Sequence, residues 1–249
     1  MSDTDTTHSW QEIDTFGSLG AIIDASWAAE QFTIYRGEPQ TGKKLIPKIG
    51  RDENYSNKHE EELLTRFIRQ SQPHLTYTPK SRLEWLILAQ HYGLSTRLLD
   101  WTTNLMVALY FACDSEPDVS GAVYHFLSSS IYDLTEDDED PFHIKEFRVI
   151  RPSHLDKRIV AQQGLFTLHP RPTEPPPWSG IKYIITPKLK IEIKEKISRY
   201  GFKRSTIFPD MENIVRDIMD ECNPRLFIPA KPHQGPLSGT LVQPETQKK

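Results

Sequence analysis

The chain has 249 residues, 37% hydrophobic and 26% charged, a balance that fits a globular protein and excludes a disordered one. A formal net charge of −4 provides no global basic field for nucleic acid. The longest strongly apolar run, Leu105–Cys113, is too short to span a bilayer. The opening MSDTDTTHSW has neither the basic start nor the apolar stretch of a secretory signal, so no membrane association and a cytoplasmic location are expected.

Residues 1–15 are polar and read as a flexible start. From Ser18 the apolar positions Leu19, Ile22, Ile23 and Trp27 fall at helical spacing, and Gln31–Arg36 reads as a short strand ended by Gly37 and Pro39. Thr41–Ser56 is a long loop. Two capped helices follow. Asn57 with Glu60 precedes Leu63, Leu64, Phe67 and Ile68, and Ser81 with Glu84 forms a capping-box pattern before Leu83, Leu86 and Ile87. Gly93 is placed to stop the second helix, Thr96–Trp101 is a short extended segment, and Asn104–Cys113 is apolar nearly all round, as in a buried helix.

Gly121–Ser128 alternates as a strand does. The acidic run Glu136–Asp140 reads as a solvated loop, since five adjacent carboxylates cannot all be buried. Strands are expected at Glu146–Ile150, Ile159–Leu168 and Ile181–Thr186. Pro170–Trp178, with five prolines, is a stiff surface loop or a lid. Thr186-Pro187 starts a helix that Gly201 stops, and a last helix runs from about Asp210 to Cys222. Residues 16–228 thus form one α+β domain, a mixed sheet with flanking helices, and 229–249 a disordered tail rich in Pro, Gly, Gln and Lys. Cys113, inside an apolar run, packs as a small hydrophobe, and two such distant cysteines make no disulfide framework.

Three segments could carry chemistry. Arg36 at a strand end, in Tyr35-Arg36-Gly37-Glu38, can pair with phosphate or carboxylate while Gly37 lets a ligand approach. The alternative is an Arg36–Glu38 pair at a turn. His91–Thr102 packs His91, Ser95, Thr96, Arg97, Asp100, Trp101 and Thr102 between two helices, which suits a ligand site. Equally, Ser95 or Thr96 caps, Asp100 pairs with Arg97, and Trp101 is core. On the expected strand Ile159–Leu168, Gln162, Gly164 and Phe166 share one face, where Gln162 reads a ligand or satisfies a neighbouring loop. There is no P-loop, no dinucleotide glycine fingerprint, no nucleophile elbow at Ser95 and no metal-ligand spacing among the nine histidines, so no metal is expected.

The Tyr35–Gly37 motif, the block His91–Thr102, Ala108-Leu109-Tyr110-Phe111-Ala112, Arg158–Phe166 and Phe208-Pro209-Asp210 with Met211-Glu212 together resemble the FRG domain, over roughly residues 32–220. Tyrosine stands where that family's first motif has phenylalanine. The layout is similar to that of ADP-ribosyltransferases, which split NAD at the nicotinamide bond. The resemblance implies an NAD-dependent transferase-like enzyme, of the kind that serves as a toxin or antiphage effector, with NAD as co-substrate and a protein or nucleic acid as acceptor. By that resemblance Arg36 holds the dinucleotide, aided by Tyr35, Gly37 and His91. Ser95 and Thr96 line the pocket, and Tyr110 or Phe111 stacks on a ring. The carboxylate that such chemistry wants opposite the ribose has no Glu-x-Glu strand here, which leaves Gln162 and Glu212 as the catalytic candidates. The alternatives are a non-catalytic nucleotide- or RNA-binding module and, third, a nuclease using His91 and Asp100.

Overall fold

The computed structural model describes residues 8–20, 22–23, 32–115, 117–133, 139–153, 156–177 and 180–222. Eight strands lie among them: β1 His8–Ile13, β2 Phe32–Glu38, β3 Leu98–Thr102, β4 Gly121–Ser128, β5 Tyr132–Asp133, β6 Arg148–Arg151, β7 Gly164–Leu168 and β8 Gly180–Ile185. They form one mixed sheet in the order β1-β8-β4-β2-β3-β7-β6-β5. The described helices are α1 Asn57–Ser71, α2 Arg82–His91, α3 Leu105–Cys113, α4 Lys157–Ala161, α5 Pro187–Arg199, α6 Arg204–Ile207 and α7 Met211–Glu221. The fold is α+β, as the pattern of elements predicts.

The expected helices at Pro187–Arg199, Met211–Glu221 and Leu105–Cys113 are found, each started by a side-chain cap. Thr186 caps α5 through Leu189 N–H with Pro187 in its first turn, Asp210 caps α7 through Asn213 N–H, and Asn104 caps α3 through Met106 N–H. Gly93 and Gly201 follow their helices at φ 93° and 90°, conformations that cost other residues energy. Cys113 is buried, and burial pushes its thiol up to about 12.

Other elements differ. The N-terminal stretch read as loose contributes β1, which pairs in parallel with β8 from His8↔Gly180 to Ile13↔Ile185. Helix α1 is capped by Ser56, which accepts from His59 N–H, rather than by Asn57. Glu84 does not complete a capping box, because its Oε2 accepts from Lys80 N–H (2.6 Å) and Tyr77 Oη (3.1 Å). The expected strand Ile159–Leu168 divides in two. Asp156 caps the short helix α4, Gln163 turns the chain at φ 46°, and only Gly164–Leu168 is strand. Gln162 therefore ends a helix and shares no strand face with Gly164 and Phe166. Of the acidic run, residues 136–138 lie outside the described residues. Asp140 is half-buried, accepting from Arg82 (2.7 Å) and from Phe142 N–H (3.0 Å). Trp27, Trp178 and the 229–249 tail also lie outside the described residues.

Three apolar clusters hold the sheet. On one face, α3 and α5 cover the β8–β4–β2 half through Val107, Leu109, Leu189, Ile193, Tyr183 and Val123. On the same face α1 and α2 cover the β3–β7–β6 half through Leu64, Leu86, Ile87, Leu98, Phe166 and Ile150. The opposite face buries Ile34, Trp101, Tyr124, Phe126 and Leu165 beneath Leu45 of the 41–56 loop. Burial of such side chains supplies most of the stabilisation, at about 25 cal/mol per Å² of apolar surface. The two helical groups leave a gap above the junction of β2 and β3.

Candidate functional site

That junction is the weakest seam of the sheet. β2 pairs with β4 over seven positions but with β3 at Tyr35↔Thr102 alone. Beyond this pair the strands part, and the Arg36 guanidinium occupies the opening, its Nη1 donating to the Asp100 carbonyl at 2.6 Å. A cleft of about 410 Å³ opens here, lined by Tyr35–Pro39, Gln90, His91, Asp100–Thr102, Phe111, Arg158, Gln162 and Phe208 among others. Its walls come from both helical groups, the arrangement in which polar groups on separate rigid elements converge on a ligand.

Arg36 is held from two sides. Its Nε and Nη2 both donate to Glu38 Oε1, at 2.9 and 2.6 Å, while Lys43 Nζ stands 3.7 Å from Glu38 Oε2. The Arg36–Glu38 pair is therefore real, but it is a half-buried cleft feature rather than a surface turn. Three of the five guanidinium N–H groups are used, leaving one on each Nη without a hydrogen bond among the described residues. Gly37 lines the cleft and also lets α3 pack closely, since a Cβ there would lie 1.9 Å from the Ala108 carbonyl oxygen of α3.

Asp100 is the unusual group. In β3, Leu98, Leu99, Trp101 and Thr102 are at most 4% exposed, yet the Asp100 side chain is 64% exposed and faces the cleft. Its Oδ1 accepts from Gln90 Nε2 (2.8 Å), and its Oδ2 lies 3.8 Å from Arg36 Nη1. It does not pair with Arg97. That arginine is fully buried and bonds to Glu60 through its backbone N–H (2.7 Å), Nε (3.1 Å) and Nη2 (2.9 Å). Arg97 Nη2 also reaches Asn57 Oδ1 and Tyr55 Oη, Nη1 reaches the Pro141 carbonyl, and the guanidinium stacks on Phe142 at 4.4 Å. Burial raises the Glu60 carboxyl above its ordinary range against the opposing pull of Arg97.

The far wall joins α4 to the Phe208-Pro209-Asp210 motif. Arg158 lies 5.1 Å over the Phe208 ring and 3.5 Å from Asp210 Oδ2, and Gln162 Nε2 donates to the Ile207 carbonyl (3.2 Å). The Asn213 backbone amide holds the Asp210 carboxyl below its usual range. His91 sits at the rim, 3.5 Å from Asp156.

The structure brings Tyr35, Arg36, Gly37, His91 and Gln162 together at this cleft. It does not bring the other candidates there. Thr96 is buried behind Gln90, and Ser95 lines no part of the cleft. The Tyr110 ring is core, against Phe111 and Phe208. Glu212 is exposed on α7 beside Arg216. Pro170–Pro177 contributes nothing to the cleft. It packs at the 3-10 turn Ile49–Arg51, where a Cβ on Gly50 would lie 1.9 Å from the Pro172 carbonyl oxygen. Sequence reasoning missed Gln90 as a cleft residue and gave Arg158 no role of its own, and of its two readings of Asp100 the pair with Arg97 is not formed. The available signal for Asp100 was a charged residue between four apolar or β-forming neighbours on a short interior strand. Among the described residues no cluster of three or more His, Cys, Asp or Glu could hold a metal, and no helix is long and apolar enough to cross a membrane.

Comparison with known proteins finds no curated protein and no solved structure that matches. Residues 31–120 match the family model described as FRG domain, a span that contains β2, β3, α3 and the Arg36–Asp100 seam. Over that span the chain is similar to the FRG domain, as its motifs lead one to expect.

Proposed function

We propose that the cleft binds NAD as co-substrate and that the protein is an ADP-ribosyltransferase-like enzyme, breaking the ribose–nicotinamide bond and passing ADP-ribose to a macromolecule or to water. One observation supports this above the others: Asp100, a carboxylate kept accessible at the centre of an otherwise buried strand, beside an arginine. As nicotinamide leaves, positive charge develops on the ribose, and a fixed carboxylate stabilises that charge more than it does the ground state. The two remaining Arg36 N–H groups, with Arg158 across the cleft, suit the diphosphate. Tyr35, Phe111 and Phe208 offer faces or edges to the rings. On this reading Asp100 takes the role for which Gln162 and Glu212 were the sequence candidates. Chemistry of this kind suits a toxin or an antiphage effector, with a protein or nucleic acid as acceptor.

A second reading, a nucleotide- or RNA-binding module without turnover, is favoured by the Arg36–Glu38 pair, which spends part of the cation's charge inside the protein. A nicotinamide-release assay with NAD, with and without cell-extract protein and RNA as acceptors, separates the two. Release by wild type and its loss in Asp100→Asn supports the enzyme. NAD binding without release leaves the module, and no NAD binding rejects both as stated for this nucleotide.

A further inference from the structure

Asp100 does not hold its orientation alone. Behind it runs a chain of hydrogen bonds with one direction. Leu98 N–H donates to Thr96 Oγ1 at 3.2 Å. The Thr96 hydroxyl donates to Gln90 Oε1, and Gln90 Nε2 donates to Asp100 Oδ1 at 2.8 Å. The first donor belongs to the backbone at the start of β3, so its position is set by the sheet. Because that amide occupies a Thr96 lone pair, the threonine hydrogen is free to point at Gln90. The Asp100 carboxylate can only accept, so Gln90 presents its NH₂ there and its oxygen to Thr96, where the hydroxyl hydrogen meets it. The chain therefore ends with an N–H aimed at a carboxylate oxygen in the cleft. Thr96 is 1% exposed, which keeps water from competing at the Thr96 end of this chain.

We infer that Gln90 is a positioning residue for Asp100 and that Thr96 sets the orientation of Gln90. The inference rests on the cleft being the reaction site, and it extends that reading from the carboxylate to the device that aims it. The arrangement places Oδ1 under Gln90 and leaves Oδ2, 3.8 Å from Arg36 Nη1, as the oxygen turned toward the site. The charged and titratable groups around this carboxylate are Arg36 and Glu38 from β2, His91 from α2, Asp114 after α3 and Arg158 from α4. None of these bonds to Oδ1 among the described residues, so Gln90 is its one polar support there.

Two readouts test the inference. The first needs no activity: the side-chain amide of Gln90 in ¹H–¹⁵N spectra of the full chain. Its Asp100-bonded proton should exchange slowly in wild type and in Thr96→Ser, and lose that protection in Thr96→Val and Asp100→Ala. The second is kinetic, with NAD as substrate. Gln90→Leu and Thr96→Val should lower kcat at least tenfold while KM stays within about threefold, and Thr96→Ser should recover most of the rate. Equal protection of the Gln90 amide in wild type and Thr96→Val would overturn the inference, as would wild-type kcat in Gln90→Leu. If wild type releases no nicotinamide, the transferase reading fails by itself, and the amide exchange still decides whether Thr96 orients Gln90 toward Asp100.

Discussion

Two of the protein's arginine–glutamate pairs, Arg97–Glu60 and Arg36–Glu38, differ chiefly in their surroundings. Arg97 and Glu60 are sealed, at 0% and 1% side-chain exposure, and every bond they make is to the protein. Arg36 and Glu38 have 16% and 5% exposure and stand at the parting of β2 and β3. The first pair ties the α1 N-terminus, the start of β3 and the Pro141–Phe142 segment into one frame. A buried ion pair adds little net stability over an apolar packing, but it fails badly when one partner is removed. The second keeps two N–H groups free and has a partly exposed carboxylate, Asp100, as neighbour. The same chemistry serves fixation where the cluster is closed and, on the proposed function, recognition where the sheet is split.

The comparison is most open to attack at the sealed pair. Arg97→Ala should cost about 3–5 kcal/mol of stability, because Glu60 is left buried without its cation. Urea unfolding measures this, and a loss below about 1 kcal/mol would mean that the pair is not structural. Asp100→Asn should behave in the opposite manner. Its side chain is exposed, so the melting temperature should stay within a degree or two, while nicotinamide release should fall about 100-fold, or about 2.7 kcal/mol in transition-state stabilisation. An unstable variant with normal turnover would reverse the assignment.

Arg36→Ala lies between these extremes. It removes two possible ligand contacts, but it also strips the buried Glu38 of its main partner and leaves only Lys43 at 3.7 Å. A stability loss of about 1–3 kcal/mol should accompany loss of NAD binding. Paired calorimetry and thermal melts would separate the two effects.

A smaller effect comes from His169, which feels both arginines. Burial, with Arg36 and Arg97 adding in the same sense, lowers its pKa to about 3. Trp101 Nε1 donates to Thr167 Oγ1, so the threonine hydroxyl can donate to His169 Nε2 while Nδ1–H donates to the Glu174 carbonyl. The imidazole is therefore held neutral. An unfolded chain takes up this proton below about pH 6.5, whereas the folded one does not, so stability present above pH 6.5 is lost as the pH falls toward 3. The slope is about 1.4 kcal/mol per pH unit from this group. His125, also lowered by burial, adds in the same direction. Melting curves at pH 7 and 5.5 should show the loss, and His169→Gln should flatten it.

Much of this was legible in the sequence, for identifiable reasons. Gly121–Ser128 alternates, α3 is apolar all round, and Ser81 and Thr186-Pro187 are local helix-start signals. Local chemistry specifies local structure. The failures were nonlocal or had competing local signals. Ile159 and Val160 favour a strand by propensity, but the Asp156 cap and the turn at Gln163 make them helical. β1 is polar because it is an edge strand, and its parallel partner lies some 170 residues away, beyond any pattern in the segment itself. One of two readings paired Arg97 with Asp100, three residues away, whereas Arg97 bonds to Glu60, 37 residues away. That exchange is what leaves Asp100 free for the cleft. The Arg36 motif was visible from the start, whereas the Gln90 and Arg158 contributions needed the helices in place.

The central claim is that the split between β2 and β3 is where the molecule meets its ligand, and that the Arg97 cluster is frame. Backbone ¹H–¹⁵N spectra of the full chain, recorded during a titration with NAD, test it directly. Shifts should concentrate at Tyr35–Glu38, Gln90–His91, Asp100–Thr102 and Arg158, with Tyr55, Glu60 and Arg97 nearly still. Saturating NAD that moves none of the first set, or that moves the Arg97 cluster instead, would contradict it.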